Sequence, residues 1–159
     1  MILVLLGTQD KPFERILKAV SKEKKKGNIK DIVIAQIGCT NFNDDNIKTF
    51  DFTSKEEIES LIDKARIIIT HAGVGTIIEC LNKSKKVIVV PRLKKYGEHT
   101  NDHQLQITKE FALKGYIMPL YDEKKLNKVL NDIKKFKPVK YESNSDNFKN
   151  KIKEYIDKL

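Results

Sequence analysis

Short apolar segments alternate along this chain with segments of helical periodicity, and this alternation constrains the fold more than any other feature of the sequence. The predicted strands are residues 2–6, 31–37, 47–52, 66–70, 86–90 and 116–120. The predicted helices are residues 12–26, with Pro12 at the N-terminal position, and 54–64, 76–82, 101–113, 123–135 and 146–159. Strands that alternate with helices favour a parallel sheet with helices on both faces. The sequence therefore predicts a single α/β domain covering residues 1–159.

The length and the cysteines narrow the class of protein. At 159 residues the chain can bury the core of one domain. No apolar run approaches the roughly 18 residues of a membrane span. The first eight residues lack a basic leader and indicate a strand rather than a signal peptide. Cys39 and Cys80 match no metal or redox spacing, so we expect free thiols and a cytoplasmic protein.

The formal net charge of +9 comes mainly from lysine, because the chain has only three arginines, Arg15, Arg66 and Arg92. Side chains that read base edges or bind phosphate in a bidentate manner are more often arginine. Nucleic-acid binding is therefore not expected, although a basic RNA-binding α/β domain remains an alternative. Attraction to an anionic membrane surface or to an acidic partner is about as consistent with this charge as nucleic-acid binding is.

The segment ARIIITHAGVGTIIEC, residues 65–80, places a loop with two glycines between a strand and a helix. Loops of this kind bind ligands in open α/β sheets, and a helix N-terminus favours an anion. A dinucleotide fingerprint fails, since Ile78 occupies its third glycine position and no acidic residue ends the next strand. A phosphate-binding Gly-Lys-Ser/Thr sequence is also absent. A phosphate site remains, with His71, Thr76 and Glu79 as its polar groups.

A purely structural interpretation of the same loop stays open. The segment from Thr76 to Glu79 also fits a capping box, in which the glutamate returns to the backbone. His71 can likewise be a histidine whose hydrogen bonds are satisfied within the fold. Two further polar loops, which begin at Gly7 and after Pro91, favour a ligand site. In a parallel sheet all three loops lie at the same edge, where they would form a cleft.

These motifs resemble those of a known family, the C-terminal, donor-binding domain of family 28 GT-B glycosyltransferases. This domain has a Rossmann-like fold. The segment from His71 to Glu79 resembles the His-x-Gly-x-x-Ser/Thr-x-x-Glu block of UDP-sugar transferases. Residues 85–91 resemble the strand that follows it, and residues 102–104 resemble a later Asp-Gln or His-Gln element. The opening Leu6-Gly7-Thr8-Gln9 is similar to that of a subfamily of transferase subunits in lipid-linked N-glycan assembly, bacterial capsule and exopolysaccharide synthesis.

The resemblance implies a role for each matching residue. Glu79 would accept hydrogen bonds from both ribose hydroxyls. The helix N-terminus would hold the diphosphate, with His71 nearby as the one candidate catalytic group of this chain. Gln104, with His103, would read the hydroxyls of the donor sugar, and His103 departs from the more frequent Asp. The implied UDP-sugar site comprises Gly7, Thr8, Phe52, Thr53, His71, Gly73, Gly75, Thr76, Glu79, His103 and Gln104, with Phe52 and Thr53 beside the uracil.

No metal and no cofactor are expected, with a UDP-sugar as donor substrate. The chain has no Asp-x-Asp motif, and His99 with His103 lacks a third ligand. The resemblance implies a membrane-associated partner subunit that brings the lipid-linked acceptor and the general base and recruits the chain to the inner membrane face. Phe148, Ile152, Tyr155 and Leu159 recur at helical spacing, so residues 145–159 are predicted to dock this partner or to pack on the domain itself. A non-catalytic nucleotide-sugar-binding enhancer subunit is an alternative function.

Overall fold

Six parallel strands form one sheet in the order β3-β2-β1-β4-β5-β6. The structure, a computed structural model, describes residues 1–142. The strands are β1 (Ile2–Leu5), β2 (Val33–Gln36), β3 (Lys48–Phe50), β4 (Ile67–Thr70), β5 (Lys86–Val89) and β6 (Met118–Pro119). All five strand pairings are parallel, as predicted. The Rossmann-like α/β fold expected from the sequence is confirmed.

Five α-helices cover the two faces of this sheet. They are α1 (Glu14–Lys25), α2 (Lys55–Lys64), α3 (Val74–Asn82), α4 (His103–Leu113) and α5 (Leu126–Lys135). Helices α1 and α5 pack their apolar residues into one core cluster, whereas α2, α3 and α4 contribute to a second cluster on the opposite face. Within residues 1–142, no helix has the length and apolar character required to cross a membrane.

The strand order reverses between β1 and β4, which are neighbours in the sheet. Leu5 pairs with Thr70 at the carboxyl ends of these strands. The loops after β1 and β4 therefore leave the sheet side by side. In open α/β sheets, this point of reversal is where a crevice for a ligand forms. The two loops contain Gly7 and Thr8 on one side and His71 to Gly73 on the other.

Several predicted element boundaries were wrong. Helix α1 begins at Glu14, and Pro12 precedes it, because Phe13 has a non-helical backbone, with a φ of −137° and a ψ of 56°, and donates its N–H to Thr40 Oγ1 at 3.0 Å. The predicted strand 116–120 has only two ladder residues, and the predicted helix 123–135 begins with a 3₁₀ turn at Glu123–Lys125. Ser54 caps α2 as expected, accepting the Glu57 N–H at 3.2 Å. The predicted docking helix, residues 145–159, lies outside the described residues.

The thiols of the two cysteines are in different environments. Neither forms a disulfide, as the sequence indicated: Cys39 is exposed, and Cys80 lies on the buried face of α3. Burial, together with the nearby Glu79 carboxylate, raises the pKa of the Cys80 thiol to about 12. Cys80 therefore stays protonated and acts as a small apolar side chain.

Candidate functional site

A cavity of about 150 Å³ opens at the point where the strand order reverses. It is lined by the ends of β1 and β2, the segment after β3, and one face each of α2 and α3. The lining residues are Leu5, Gly7, Thr8, Gln36, Phe52, Thr53, Ile58, Thr76 and Glu79. Six of the residues that the sequence singled out as a UDP-sugar site therefore share one cavity: Gly7, Thr8, Phe52, Thr53, Thr76 and Glu79.

Among the described residues, no side chain caps the N-terminus of α3, which leaves its first N–H groups available to an anion. The helix begins at Val74, and Gly73 at its N-cap position provides no side-chain hydrogen bond. The first N–H groups of an α-helix have no acceptor within the helix. The positive end of the helix dipole adds to their attraction for a negative group. Gly75 lies in this first turn, and no atom outside its immediate neighbourhood comes within 4 Å of where a Cβ would stand.

Glu79 carries a buried carboxylate oxygen that lacks a hydrogen-bond donor. Its Oε1 is shielded from solvent and has no partner among the described residues. The capping-box interpretation is wrong, because the helix begins two residues before Thr76 and Glu79 lies in its second turn. An unpaired buried carboxylate oxygen is costly, and its position at the cavity suits it to accept a hydrogen bond from a hydroxyl group that enters there.

The loop after β1 is held in shape by Gln36, a residue that the sequence analysis missed. Its Oε1 accepts the Gly7 N–H at 3.1 Å, and its Nε2 donates to the Gly7 carbonyl oxygen at 3.0 Å. The same Nε2 donates to the Asp51 carbonyl oxygen at 3.2 Å, which joins the loops after β1 and β3. The available signal was a polar residue that interrupts an otherwise apolar strand.

His71 lies beside this cavity rather than in its lining. Its imidazole contacts Gly7 and Gly73, and Nδ1 lies 3.4 Å from the Leu5 carbonyl oxygen, which can only accept a hydrogen bond. Burial, with a further contribution from the positive charge of Arg92, lowers the pKa of His71 to about 4. The imidazole is therefore neutral at pH 7, and we assign its proton to Nδ1, which faces the carbonyl acceptor.

The neutral state of His71 predicts a pH dependence of stability. In the unfolded chain the imidazole has a pKa of about 6.5, so between this value and about 4 the unfolded state binds more protons. The free energy of unfolding should therefore fall as the pH drops through this window, and His71→Asn should remove that part of the fall. Urea unfolding of both proteins across the window measures it. Identical pH dependence in the two proteins would contradict the assignment.

Arg92, which the sequence did not indicate as a site residue, holds the loop after β1 through hydrogen bonds from a buried guanidinium. It is 1% exposed, and its guanidinium carbon lies 4.8 Å from the centre of the Phe13 ring. Its Nη2 donates to the Leu6 carbonyl oxygen at 2.8 Å. Its Nη1 donates to the carbonyl oxygens of Lys11 at 2.8 Å and Glu98 at 3.2 Å. The loops after β1 and β5 are thereby joined through one buried cation.

An ion pair between the buried Glu98 and Arg15, whose side chain is 13% exposed, completes this connection. Both Glu98 carboxylate oxygens accept from Arg15, at 2.7 Å from Nε and 3.1 Å from Nη2. Oε2 also accepts the Leu93 N–H at 2.9 Å, and Arg15 Nη2 donates to the Pro91 carbonyl oxygen at 2.6 Å. The Glu98 side chain is 5% exposed. The first turn of α1 thus anchors the loop after β5, a contact that local sequence patterns do not reveal.

The structure separates the two residues expected to contact the donor sugar. Gln104 is buried, and its Oε1 accepts the N–H groups of Ala72 at 3.2 Å and Arg92 at 3.0 Å. It therefore ties the loop after β4 to the loop after β5, which leaves only its Nε2 for a ligand. His103 is exposed and lines a different cavity on the outer side of α4, with Nδ1 3.0 Å from Gln106 Oε1.

A second cavity of about 410 Å³ adjoins the first. Phe52 and Thr53 line both cavities, and the second continues between the β2–β3 edge of the sheet and α2. The Phe52 side chain is 53% exposed and stands at the boundary. A flat ring bound at this boundary would have an aromatic surface on which to pack. Within the described part of the chain, no three His, Cys, Asp or Glu side chains are grouped as a metal site.

The family model of the "Glycosyltransferase family 28 C-terminal domain" matches residues 1–159. The chain belongs to this family. The expected membership is therefore confirmed, and the cavity at the α3 N-terminus lies in a family 28 domain.

A curated relative and two solved structures extend this finding. The UDP-N-acetylglucosamine transferase subunit ALG13 of Candida albicans is 30% identical over 95 residues, which are 60% of this chain and 31% of that protein. This chain thus spans less than a third of the curated relative's length. A solution structure of ALG13 matches with a TM-score of 0.60 and 21% identity, covering 91% of this chain and 90% of the other. The calicheamicin glycosyltransferase CalG4 matches with a TM-score of 0.58 and 16% identity, covering 82% of this chain and 34% of that enzyme. These structures share the fold of this family 28 domain.

Proposed function

We propose that this chain is the donor-binding subunit of a two-component inverting glycosyltransferase that uses a UDP-sugar. The observation that carries the proposal is the buried Glu79 Oε1, which has no donor among residues 1–142 and lies at the edge of a cavity beside the N-terminus of α3. A ribose supplies hydroxyl donors to such a carboxylate, and a diphosphate supplies the anion for such a terminus. A nucleoside diphosphate carries both groups.

In the proposed complex each group of the donor meets a matching part of the site. The two ribose hydroxyls donate to Glu79, and the diphosphate accepts from the N-terminus of α3, Thr76 and the Thr8 hydroxyl. The uracil lies against the backbone of Phe52 and Thr53, at the boundary between the two cavities. The Nε2 of Gln104 is the group available to the sugar. The relatives, which are UDP-N-acetylglucosamine transferase subunits, favour an N-acetylhexosamine over a hexose as the transferred sugar.

The chemistry of sugar transfer fits this arrangement. As the bond to the leaving diphosphate breaks, negative charge develops on the diphosphate. Hydrogen-bond donors fixed at a helix N-terminus stabilise that charge without reorganising during the reaction. The Gln36 and Arg92 contacts hold the neighbouring loop in place before the donor arrives. The neutral His71 is not assigned the role of general base.

The acceptor site and the general base are proposed to lie on a membrane-associated partner, which recruits this chain to the cytoplasmic face of the membrane. The partner proposal is supported by the relatives, which are named as subunits of a transferase, and by the chain's match to 34% of the larger glycosyltransferase CalG4. The proposed acceptor is a polyprenyl-diphosphate-linked saccharide, used in surface polysaccharide synthesis. Docking through residues 145–159 remains part of this proposal.

Calorimetric titration with a panel of nucleotides and nucleotide sugars tests the proposal. UDP should bind without an added divalent metal, because the N–H groups of α3 replace a cation as the partner of the diphosphate. CDP, ADP and GDP are the matched controls and should bind more weakly than UDP. Loss of UDP binding on adding a chelator would contradict the metal-free account. Equal affinity for all four diphosphates would contradict the uracil site.

The alternative is a subunit that binds the nucleotide sugar only to enhance its partner's activity. Transferase activity of the complex with Glu79→Ala separates the two functions. A donor site for catalysis loses activity in this variant at saturating concentrations of the partner. An enhancer retains the basal activity of the partner alone.

A further inference from the structure

The imidazole of His71 fills the space between the backbone at Gly7 and the backbone at Gly73, beside the cavity. A Cβ added to Gly7 would stand 2.6 Å from Cε1 of this ring and 2.8 Å from its Nε2, and a Cβ added to Gly73 would collide with the same Nε2. Both distances at Gly7 are shorter than real Cβ contacts. The same edge of one ring thus abuts two glycines that are 66 residues apart in the chain.

A glycine can be required because its backbone has a positive φ or because there is no space for a Cβ. The backbone conformation at Gly73 distinguishes these two reasons. Gly7 has a φ of +79°, so a glycine is favoured there for conformational reasons as well. Gly73 has a φ of −76° and a ψ of 115°, which any residue adopts. What excludes a side chain at Gly73 is therefore the His71 ring. Gly75, two residues later, has open space around the Cβ position.

The orientation of the ring is fixed by its other edge. Nδ1 faces the Leu5 carbonyl oxygen and the Thr70 hydroxyl, each at 3.4 Å, and this hydroxyl donates to the same carbonyl at 3.0 Å. Leu5 and Thr70 are the paired last residues of β1 and β4. The ring is thus held at the point where the two loops diverge from the sheet.

We propose that His71 is a positioning residue whose imidazole sets the separation between the Gly7 loop and the N-terminus of α3. This inference rests on the proposed function, in which these two segments hold the two phosphates of the donor. A ring of fixed size between them keeps their donors at the spacing that a diphosphate requires. The ribose contact at Glu79 lies on the second turn of α3 and does not depend on this spacing.

The ligand test compares UDP with uridine, which lacks the diphosphate. His71→Ala should weaken UDP binding about tenfold, or roughly 1.4 kcal/mol, while the affinity for uridine changes less than twofold. His71→Asn is a second variant, with a smaller side chain that retains polarity. Equal loss of affinity for UDP and uridine would show a general structural role and would overturn the proposal.

A double-mutant cycle tests the contact itself and needs no ligand. Gly73→Ala should lower the melting temperature of the wild-type chain, because its Cβ collides with the ring. In the His71→Ala background, the same substitution should cost nothing or raise the melting temperature, because the space is then empty. Gly75→Ala is the stability control and should not lower the melting temperature in either background. An equal effect of Gly73→Ala in both backgrounds would overturn the proposed contact.

The two tests also separate this proposal from the proposed function. If the wild-type protein binds neither UDP nor uridine, the donor site is wrong and the diphosphate role of His71 falls with it. If the wild-type protein binds UDP but the double-mutant cycle shows no coupling, the donor site stands and the positioning role alone is wrong.

Discussion

Glu79→Gln should weaken UDP binding by about 1–3 kcal/mol, the cost of losing a hydrogen bond to a charged acceptor. The carboxylate accepts from two hydroxyls in the proposed complex, whereas an amide has one oxygen and presents two donors of its own. The free protein should not lose stability, since the substitution replaces a buried charged oxygen that has no partner among residues 1–142. A loss of affinity without a loss of stability is the signature of a ligand-binding carboxylate.

Titration of UDP and 2′-deoxy-UDP into the wild-type protein and Glu79→Gln shows whether the lost affinity comes from the ribose 2′-hydroxyl. The wild-type protein should prefer UDP, and the preference should shrink in Glu79→Gln because the partner of the 2′-hydroxyl is changed. Glu110→Gln is the matched control, since Glu110 is an exposed glutamate on α4 outside the cavity. If the melting temperature falls while the affinity for UDP holds, Glu79 serves the fold and the ribose assignment is wrong.

Arg15→Met should lower the free energy of unfolding by about 3–5 kcal/mol, the usual cost of leaving one member of a buried ion pair uncompensated. The Glu98 side chain is 5% exposed and loses two of its three hydrogen-bond donors. The Pro91 carbonyl oxygen also loses the Arg15 guanidinium at 2.6 Å. These groups hold the loop after β5, which also contains Arg92. This loop should therefore loosen in Arg15→Met.

Lys18→Met is the control for that experiment, because it removes a cation one turn later on the same helix. Lys18 is 68% exposed and pairs with Glu14 on the surface, an interaction worth less than about 1 kcal/mol. Urea unfolding of the three proteins measures the difference, and Arg15→Met with Glu98→Gln should recover part of the loss. Equal, small effects of both methionine substitutions would show that Glu98 is not effectively buried.

The order of strands and helices could be predicted because it depends on local patterns. Periods of 2 and 3.6 residues reflect which side chains face the core, and each pattern lies within one short segment. The loop from His71 to Gly75 was recognisable for the same reason, since its glycines interrupt the pattern. The start of α3 was misplaced by two residues because Thr76 has the chemistry of a cap, while the backbone turns into the helix at Val74.

The connections beneath the site could not be predicted, because their partners are distant in the sequence. Gln36 bonds to a residue 29 positions away, and Arg92 to Leu6, 86 positions away. A buried Arg92 is unusual on propensity alone, and three carbonyl oxygens that converge on it from the loops after β1 and β5 explain it. Gln104 was expected to contact the sugar. Its Oε1 instead accepts two backbone N–H groups, a role that the sequence did not suggest.

Because Thr76 and Glu79 lie on one helix, α3 acts as a ruler for whatever the cavity holds. An α-helix advances about 1.5 Å and turns about 100° per residue, so these two side chains keep a fixed offset however the surrounding loops change. The loops after β1, β3 and β5 can therefore change in sequence, and with them the base or sugar of the proposed donor. The distance between the Thr76 and Glu79 side chains stays the same. A single residue inserted between Thr76 and Glu79 would swing the carboxylate out of the cavity, which makes this turn intolerant of changes in length.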